Sequence, residues 1–241
     1  MDWDAADSLL PQTLRCGSVR PVDAPAPYRR EALVALGLAG VQFGSMNRMS
    51  RACLNVDLCR VTDGVMTSTP GRLWQLERRG YYLEHDATQP LPVADEAFDW
   101  AYSEHFLEHL PRRGAVAWLR EVRRVVRRGG LVRITTPDLR RYARAYVEDD
   151  QAFFAEHARR LGAMGLPGAP RRRAWMVNQL FHFYGHRWIY DADELADLAT
   201  AAGFAAGALE VRGFREGRAP AVCKLDQEVR NDESIYVELT V

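Results

Sequence analysis

The segment 115–137 restricts the fold more than any other stretch of the chain. Ala115, Trp118, Leu119, Val122, Val125 and Val126 recur at helical spacing on one face, and Arg120, Arg123, Arg124 and Arg127 fall away from it, so the pattern predicts an amphipathic helix over 115–128. Gly129-Gly130 ends that helix, the apolar run 131–135 follows at once as a strand, and Pro137 closes the strand. Helix, glycine stop and strand in direct succession make an αβ unit. Such units build parallel sheets covered on both faces, because a parallel connection needs a crossover.

The rest of the chain repeats this alternation. Strands are expected at 40–43, 54–56, 81–83 and 98–102, with a helix beginning near Ser103. Asp191 with Glu194 three residues later resembles a capping box, which starts a helix through Ala202 that Gly203 ends. Closing strands follow at 209–211 and 235–240, and residues 139–181 read as mainly helical, broken at 162–170. Residues 1–30, rich in Pro, Asp and Arg, read as an irregular N-terminal arm with a short helix. The chain has 241 residues and 47% hydrophobic content, enough for one substantial core. The expectation is one α/β domain over 31–241, with a helical insert at about 139–181.

The 32 basic and 32 acidic residues cancel, so no overall field draws the protein to nucleic acid or to an anionic membrane, and neither is expected as a partner. The start Met1-Asp2-Trp3-Asp4 lacks the basic region and apolar core of a signal peptide, and the apolar run 32–41 is too short to span a bilayer, which points to a cytoplasmic location. Cys16, Cys53, Cys59 and Cys223 are scattered without a CxxC pair, suggesting neither a zinc site nor a disulfide framework.

In an open parallel sheet, ligands bind beyond the carboxyl ends of the strands. Three strand-end loops carry suitable residues. Gly44-Ser45-Met46-Asn47 is a tight turn whose glycine lets backbone approach a ligand. Asp57 is placed to accept hydrogen bonds from two ribose hydroxyls, and Asp86-Ala87 offers a carboxylate to an adenine amino group. Any one of these is also an ordinary turn former. Their order and spacing give them weight.

Three stretches together resemble the successive motifs of class I S-adenosylmethionine-dependent methyltransferases. They are Val41-Gln42-Phe43-Gly44-Ser45 with Leu54-Asn55-Val56-Asp57, Asp86-Ala87-Thr88-Gln89-Pro90-Leu91-Pro92, and Phe98-Asp99-Trp100-Ala101-Tyr102-Ser103-Glu104-His105. The segments 182–190 and 230–238 resemble the tail of a bacterial subgroup of small-molecule members, and the likeness covers about residues 38–241. The resemblance implies a Rossmann-like, seven-stranded, mostly parallel sheet with an antiparallel last strand and helices on both faces. It implies S-adenosylmethionine as cofactor, S-adenosylhomocysteine as product, and a small-molecule acceptor with a hydroxyl or amine, in a biosynthetic pathway. Carried onto this chain, the cofactor contacts are Phe43, Gly44, Ser45 and Met46 around the methionine moiety, Asp57 and Leu58 at the ribose, Asp86 and Ala87 at the adenine, and Ser103 and Glu104 near the transferable methyl. The family has a second glycine where this chain has Met46. That departure supports an alternative reading, a repurposed member that binds a metabolite or partner without methyl transfer. The sequence fixes no oligomeric state, and a homodimer is one that it allows.

His105-Phe106-Leu107-Glu108-His109 spells H-x-x-E-H, the pattern of zinc peptidases with the inverted motif, and on a helix it would set both histidines on one face. Its place directly after a strand of the methyltransferase pattern argues against that chemistry, and no metal is expected. His105, His182 and His186 are candidate general bases, since an imidazole can take a proton from an attacking hydroxyl near neutral pH. A structural histidine is the competing reading for each. The aromatic residues Phe181, Phe183, Tyr184 and Trp188 around the last two read equally as core or as a lid.

Overall fold

A computed structural model describes residues 13–46 and 48–241. Asn47 of the expected glycine turn and residues 1–12 of the expected arm lie outside the described residues.

Nine strands form the main sheet: β2 (Val19–Pro21), β3 (Gly40–Phe43), β4 (Cys53–Asp57), β6 (Leu73–Leu76), β7 (Gly80–Glu84), β8 (Phe98–Glu104), β9 (Val126–Pro137), β10 (Glu210–Arg212) and β11 (Ser234–Thr240). Their order is β10-β11-β9-β8-β3-β4-β7-β6-β2. The centre, β9-β8-β3-β4-β7, is parallel, and β11 runs antiparallel between β9 and β10. Those seven strands are the sheet that the resemblance implies. Two more extend it at one margin, where β6 turns back antiparallel on β7 and β2 pairs antiparallel with β6. Residues 13–29, expected to be irregular with a short helix, instead supply β2 and the short β1 (Thr13–Arg15), which pairs with β5 (Arg60–Thr62) apart from the main sheet.

Alternation along the central strands sorts the two faces. Val41, Phe43, Ala101, Val132 and Ile134 point into one core with α1 (Arg30–Ala35), α2 (Arg112–Val125) and α6 (Ala192–Ala201), which contribute Leu33, Trp118, Leu119, Leu195 and Leu198. Tyr102 and Leu131 point the other way, onto Val222 of the short helix α7 (Pro220–Cys223). On that second face the fully buried Arg133 is held by Asp226 and Glu238. Among the described residues no helix is long and apolar enough to cross a membrane.

Two sequence expectations need correcting. The helix expected over 115–128 stops at Val125, and Val126 already pairs with Phe98. The β-branched pair Val125-Val126 favours extension there, and Arg127 Nε donates to Asp99 across the register shift (2.6 Å). A Cβ on Gly130 would lie 2.7 Å from Arg127 O and 2.8 Å from Asp99 O, so the glycine pair builds the bulge rather than a helix stop. The helix expected from Ser103 does not form either. Strand β8 runs through Glu104, His105 takes φ +46°, a 3-10 turn spans Leu107–His109, and helix resumes only after Pro111.

The insert consists of α3 (Leu139–Val147), α4 (Gln151–Ala163) and α5 (Arg173–His182) around its own core of Tyr142, Phe154, Leu161 and Met176. Inside it the Tyr142 hydroxyl donates to Glu233 (2.5 Å), and His157 bridges Tyr142 and Asp232, each at 2.8 Å. Burial opposes charge on His157, but the carboxylates of Glu233 and Asp232 outweigh it, and the imidazole pKa is raised above its ordinary 6.5. The folded state therefore holds a proton that the unfolded chain releases near pH 6.5. The resulting stabilisation is complete below that pH and disappears as pH rises through the raised value. The stability advantage of the wild type over His157→Gln, read from urea midpoints, should be larger at pH 5.5 than at pH 8.5. An advantage that grows with pH would contradict this assignment.

Candidate active site

The strand order changes direction between β3 and β8, and this is the place where an open α/β sheet leaves a crevice at its carboxyl edge. A cleft of about 680 Å³ opens there, walled by Gly44 and Met46 after β3, Asp57 and Leu58 after β4, Glu84 through Ala87 at the end of β7, and His105 and Phe106 after β8. Thr13 and Arg60 close it from the side of the N-terminal strands, and His109 and Leu110 from below.

Each wall residue has a local cause. Gly44 has φ +65°, and a Cβ there would meet Phe106 Cβ at 2.7 Å, so glycine is required both by conformation and by space. Asp57 ends β4 beside Glu84 of β7 in parallel register. Its Oδ2 accepts from Met46 N (2.8 Å) and its Oδ1 from Cys59 N (2.9 Å), which fixes the carboxylate and leaves lone pairs facing the cleft. Asp86 Oδ1 accepts from Thr88 N (2.9 Å) and Oγ1 (2.8 Å), closing an Asx turn. Phe106 packs edge-on against Trp118, centroids 5.4 Å apart, so the floor of the cleft is supported by the helical core.

Met46 takes the glycine conformation, with φ +39°. The backbone path expected of a second glycine is thus kept, at a cost of about 1 kcal/mol for a side chain in that region. Met46→Gly should raise stability by roughly that amount in urea unfolding. A loss of stability would mean that the thioether packing outweighs the strain.

Six of the expected cofactor contacts, Gly44, Met46, Asp57, Leu58, Asp86 and Ala87, come together in this one cleft. The other four do not line it. Phe43 is buried against Trp118, Ser45 and Ser103 are buried with hydroxyls that have no hydrogen-bond partner, and Glu104 Oε1 accepts from Gln227 N (2.8 Å) on the opposite face of the sheet. Glu84, Arg60 and His85 are lining residues that the sequence reading missed. Glu84 and His85 immediately precede Asp86, so their strand-end position was the available signal.

The three candidate bases separate. His105 lines the cleft, but Arg230 Nη1 donates to its Nδ1 (2.6 Å), which places the ring proton on Nε2, facing Ser234 Oγ (2.7 Å). Burial and the Arg230 charge push its pKa well below the ordinary value, and no lone pair is left to take a proton. The base expected at His105 therefore has both ring nitrogens engaged within the protein. His182 is exposed at the end of α5, outside the cleft. His186 lines a second cavity of about 650 Å³ with Leu139, Phe181, Trp188 and Asp193, and its ring meets that of His109, centroids 4.9 Å apart. The H-x-x-E-H pattern does not set two histidines on one helical face, since its residues form the β8 end and a 3-10 turn.

Residues 36–134 match the family model described as a methyltransferase domain. No curated protein matches the chain. Among solved structures it is similar to a SAM-dependent methyltransferase from Thermotoga maritima, described as a possible histamine N-methyltransferase, at 15% identity and TM-score 0.45, covering 84% of this chain and 81% of that one. It is similar at 11% identity and TM-score 0.43 to a SAM-dependent methyltransferase from Archaeoglobus fulgidus, covering 88% and 92%. Against PigF with SAH the identity is 11% and the TM-score 0.44, and this chain covers 50% of that protein's length.

Proposed function

We propose that the chain, whose residues 36–134 match a methyltransferase-domain model, is a class I S-adenosylmethionine-dependent methyltransferase that methylates a small molecule bearing a hydroxyl or amine, in a biosynthetic pathway. The observation that carries this reading is the convergence of Asp57 and Asp86, from the ends of neighbouring parallel strands, with Gly44 in one cleft.

The residues fit the cofactor. Asp57 retains acceptor capacity beyond its two backbone donors, as a ribose diol requires, and the space beside Gly44 is one that a Cβ would fill. The exposed Leu58 offers an apolar surface next to Asp86, suited to an adenine ring and its amino group. When bound, S-adenosylmethionine supplies a methyl carbon made electrophilic by a sulfonium. The chain's part is placement: a fixed Asp57, a glycine turn held open and a Phe106 floor hold the two reactants in line and exclude water, and such positioning supplies most of the acceleration in a direct displacement. An amine acceptor needs only to be presented uncharged, and a hydroxyl acceptor gains further from a base. Of the neutral imidazoles near the cleft, His109 and His186 stand between it and the second cavity, the side from which an acceptor can approach.

Titration calorimetry with S-adenosylhomocysteine tests the reading. Micromolar binding is expected, weakened about 100-fold in Asp57→Ala, since two charge-assisted hydrogen bonds at roughly 1.5 kcal/mol each are lost. Wild-type heat no greater than that of Asp57→Ala would refute it.

A further inference from the structure

The 3-10 turn Leu107–His109 and the loop after α5 meet in a seam between the cleft and the second cavity. Arg187 N (2.7 Å) and Trp188 N (3.2 Å) both donate to Glu108 O, which fixes the loop against the turn. In that seam a carboxylate oxygen of Glu108 and one ring nitrogen each of His109 and His186 all lie within 4.8 Å of one another.

Two features distinguish this group from packed polar residues. Glu108 is fully buried, and while its Oε2 accepts from Thr136 Oγ1 (3.1 Å), its Oε1 has no hydrogen-bond partner. Oε1 lies 3.5 Å from His105 Nδ1, and that nitrogen is already taken by Arg230. A buried carboxyl oxygen left without a hydrogen-bond partner is costly, and a bound cation would supply that partner. Secondly, His186 Nδ1 donates to Leu180 O (2.6 Å), which fixes the tautomer and leaves Nε2 as a lone pair. Backbone carbonyls hold metal-binding imidazoles in this way.

We propose that Glu108, His109 and His186 form a three-ligand site for a divalent transition-metal ion, with zinc the best fit. Two imidazoles and one carboxylate are a recurrent donor set for zinc. Three atoms at the widest spacing of 4.8 Å stand about 2.8 Å from their common centre, so side-chain shifts of about 0.7 Å bring them to the 2.0–2.2 Å of a zinc site. Glu108 binds as the carboxylate, and its proton, where present, leaves to solvent. Three protein ligands leave a fourth position for water or a ligand oxygen, as in open zinc sites. It would open toward the cofactor cleft on the His109 side or toward the second cavity on the His186 side. The zinc reading of H-x-x-E-H would have used His105. The geometry instead replaces it with a histidine far along the chain.

The full chain, dialysed against zinc and then against metal-free buffer, should retain about one ion per chain by elemental analysis. Glu108→Gln and His186→Ala should retain less than about a tenth of that, and His182→Ala should match the wild type. Circular dichroism checks that each variant is folded. Should the variants unfold, the X-ray absorption edge and scattering shells of the zinc-loaded wild type decide, with two imidazoles and no sulfur expected. Zinc below a tenth of an equivalent in the wild type, equal retention in all three variants, or sulfur in the coordination shell would each overturn the assignment, the last two as an adventitious ion only.

Discussion

Replacing Arg133 by methionine is expected to lower the free energy of unfolding by about 3–5 kcal/mol. All five guanidinium hydrogens are committed. Nε and Nη2 donate to Asp226 (3.0 and 2.6 Å), Nη1 to Glu238 (3.2 Å), and the remaining two go to Glu216 O (3.0 Å) and Gly213 O (3.1 Å). Arginine and both acids are fully buried or nearly so; losing the cation leaves buried Asp226 with a backbone donor from Arg215 but no cationic partner, and leaves Glu238 with only Arg212 and Arg218 as cationic partners. The loss measures mainly the uncompensated Asp226, not the worth of the intact cluster. Adding Asp226→Asn and Glu238→Gln to Arg133→Met should therefore recover part of it. Urea unfolding reads both effects, and a loss under about 1 kcal/mol in the single variant would mean that water or a neighbouring arginine replaces the lost charge.

Trp118→Ala should cost about 3–5 kcal/mol as well, by a different route. Trp118 is buried on α2 and stands edge-on to both Phe43 (5.5 Å) and Phe106 (5.4 Å), so its removal opens a cavity directly behind the floor of the cleft. Its indole nitrogen has no hydrogen-bond partner. Trp118→Phe consequently sacrifices volume alone, and should lose less than half as much. Thermal unfolding separates the two variants, and equal losses would show that the indole nitrogen matters after all.

How much of this was legible in the chain depends on how local each determinant is. Strands β3, β4, β7 and β11 were readable because short apolar runs bounded by turn residues carry their own signal. The strands β1, β2 and β5 have three residues each, and the partner that makes each a strand lies far away in the sequence. The helix expected after Ser103 failed because periodicity says nothing of His105 at φ +46°, held by Arg230 and Ser234 from the far end of the chain. Gly44, Asp57 and Asp86 could be assigned to one cleft because a strand-end position is a local property. Assigning His105 as a base failed for the converse reason, since a lone pair is lost to a residue 125 positions away. The seam of Glu108, His109 and His186 was hidden likewise, because the loop that brings in His186 is placed by tertiary contact.

The strands at the β7 margin have a consequence for how the cleft at the carboxyl edge is kept intact. β2 occupies the exposed flank of β6, while Thr13 and Arg60, from the pair β1 and β5, complete the rim around Asp57 and Glu84. Protection of the sheet against edge-to-edge association and enclosure of the ligand are thus assigned to one short stretch of polypeptide. Loosening that stretch would unseal a hydrogen-bonding flank and uncap the binding crevice together, so solubility and ligand retention should rise and fall as a single trait.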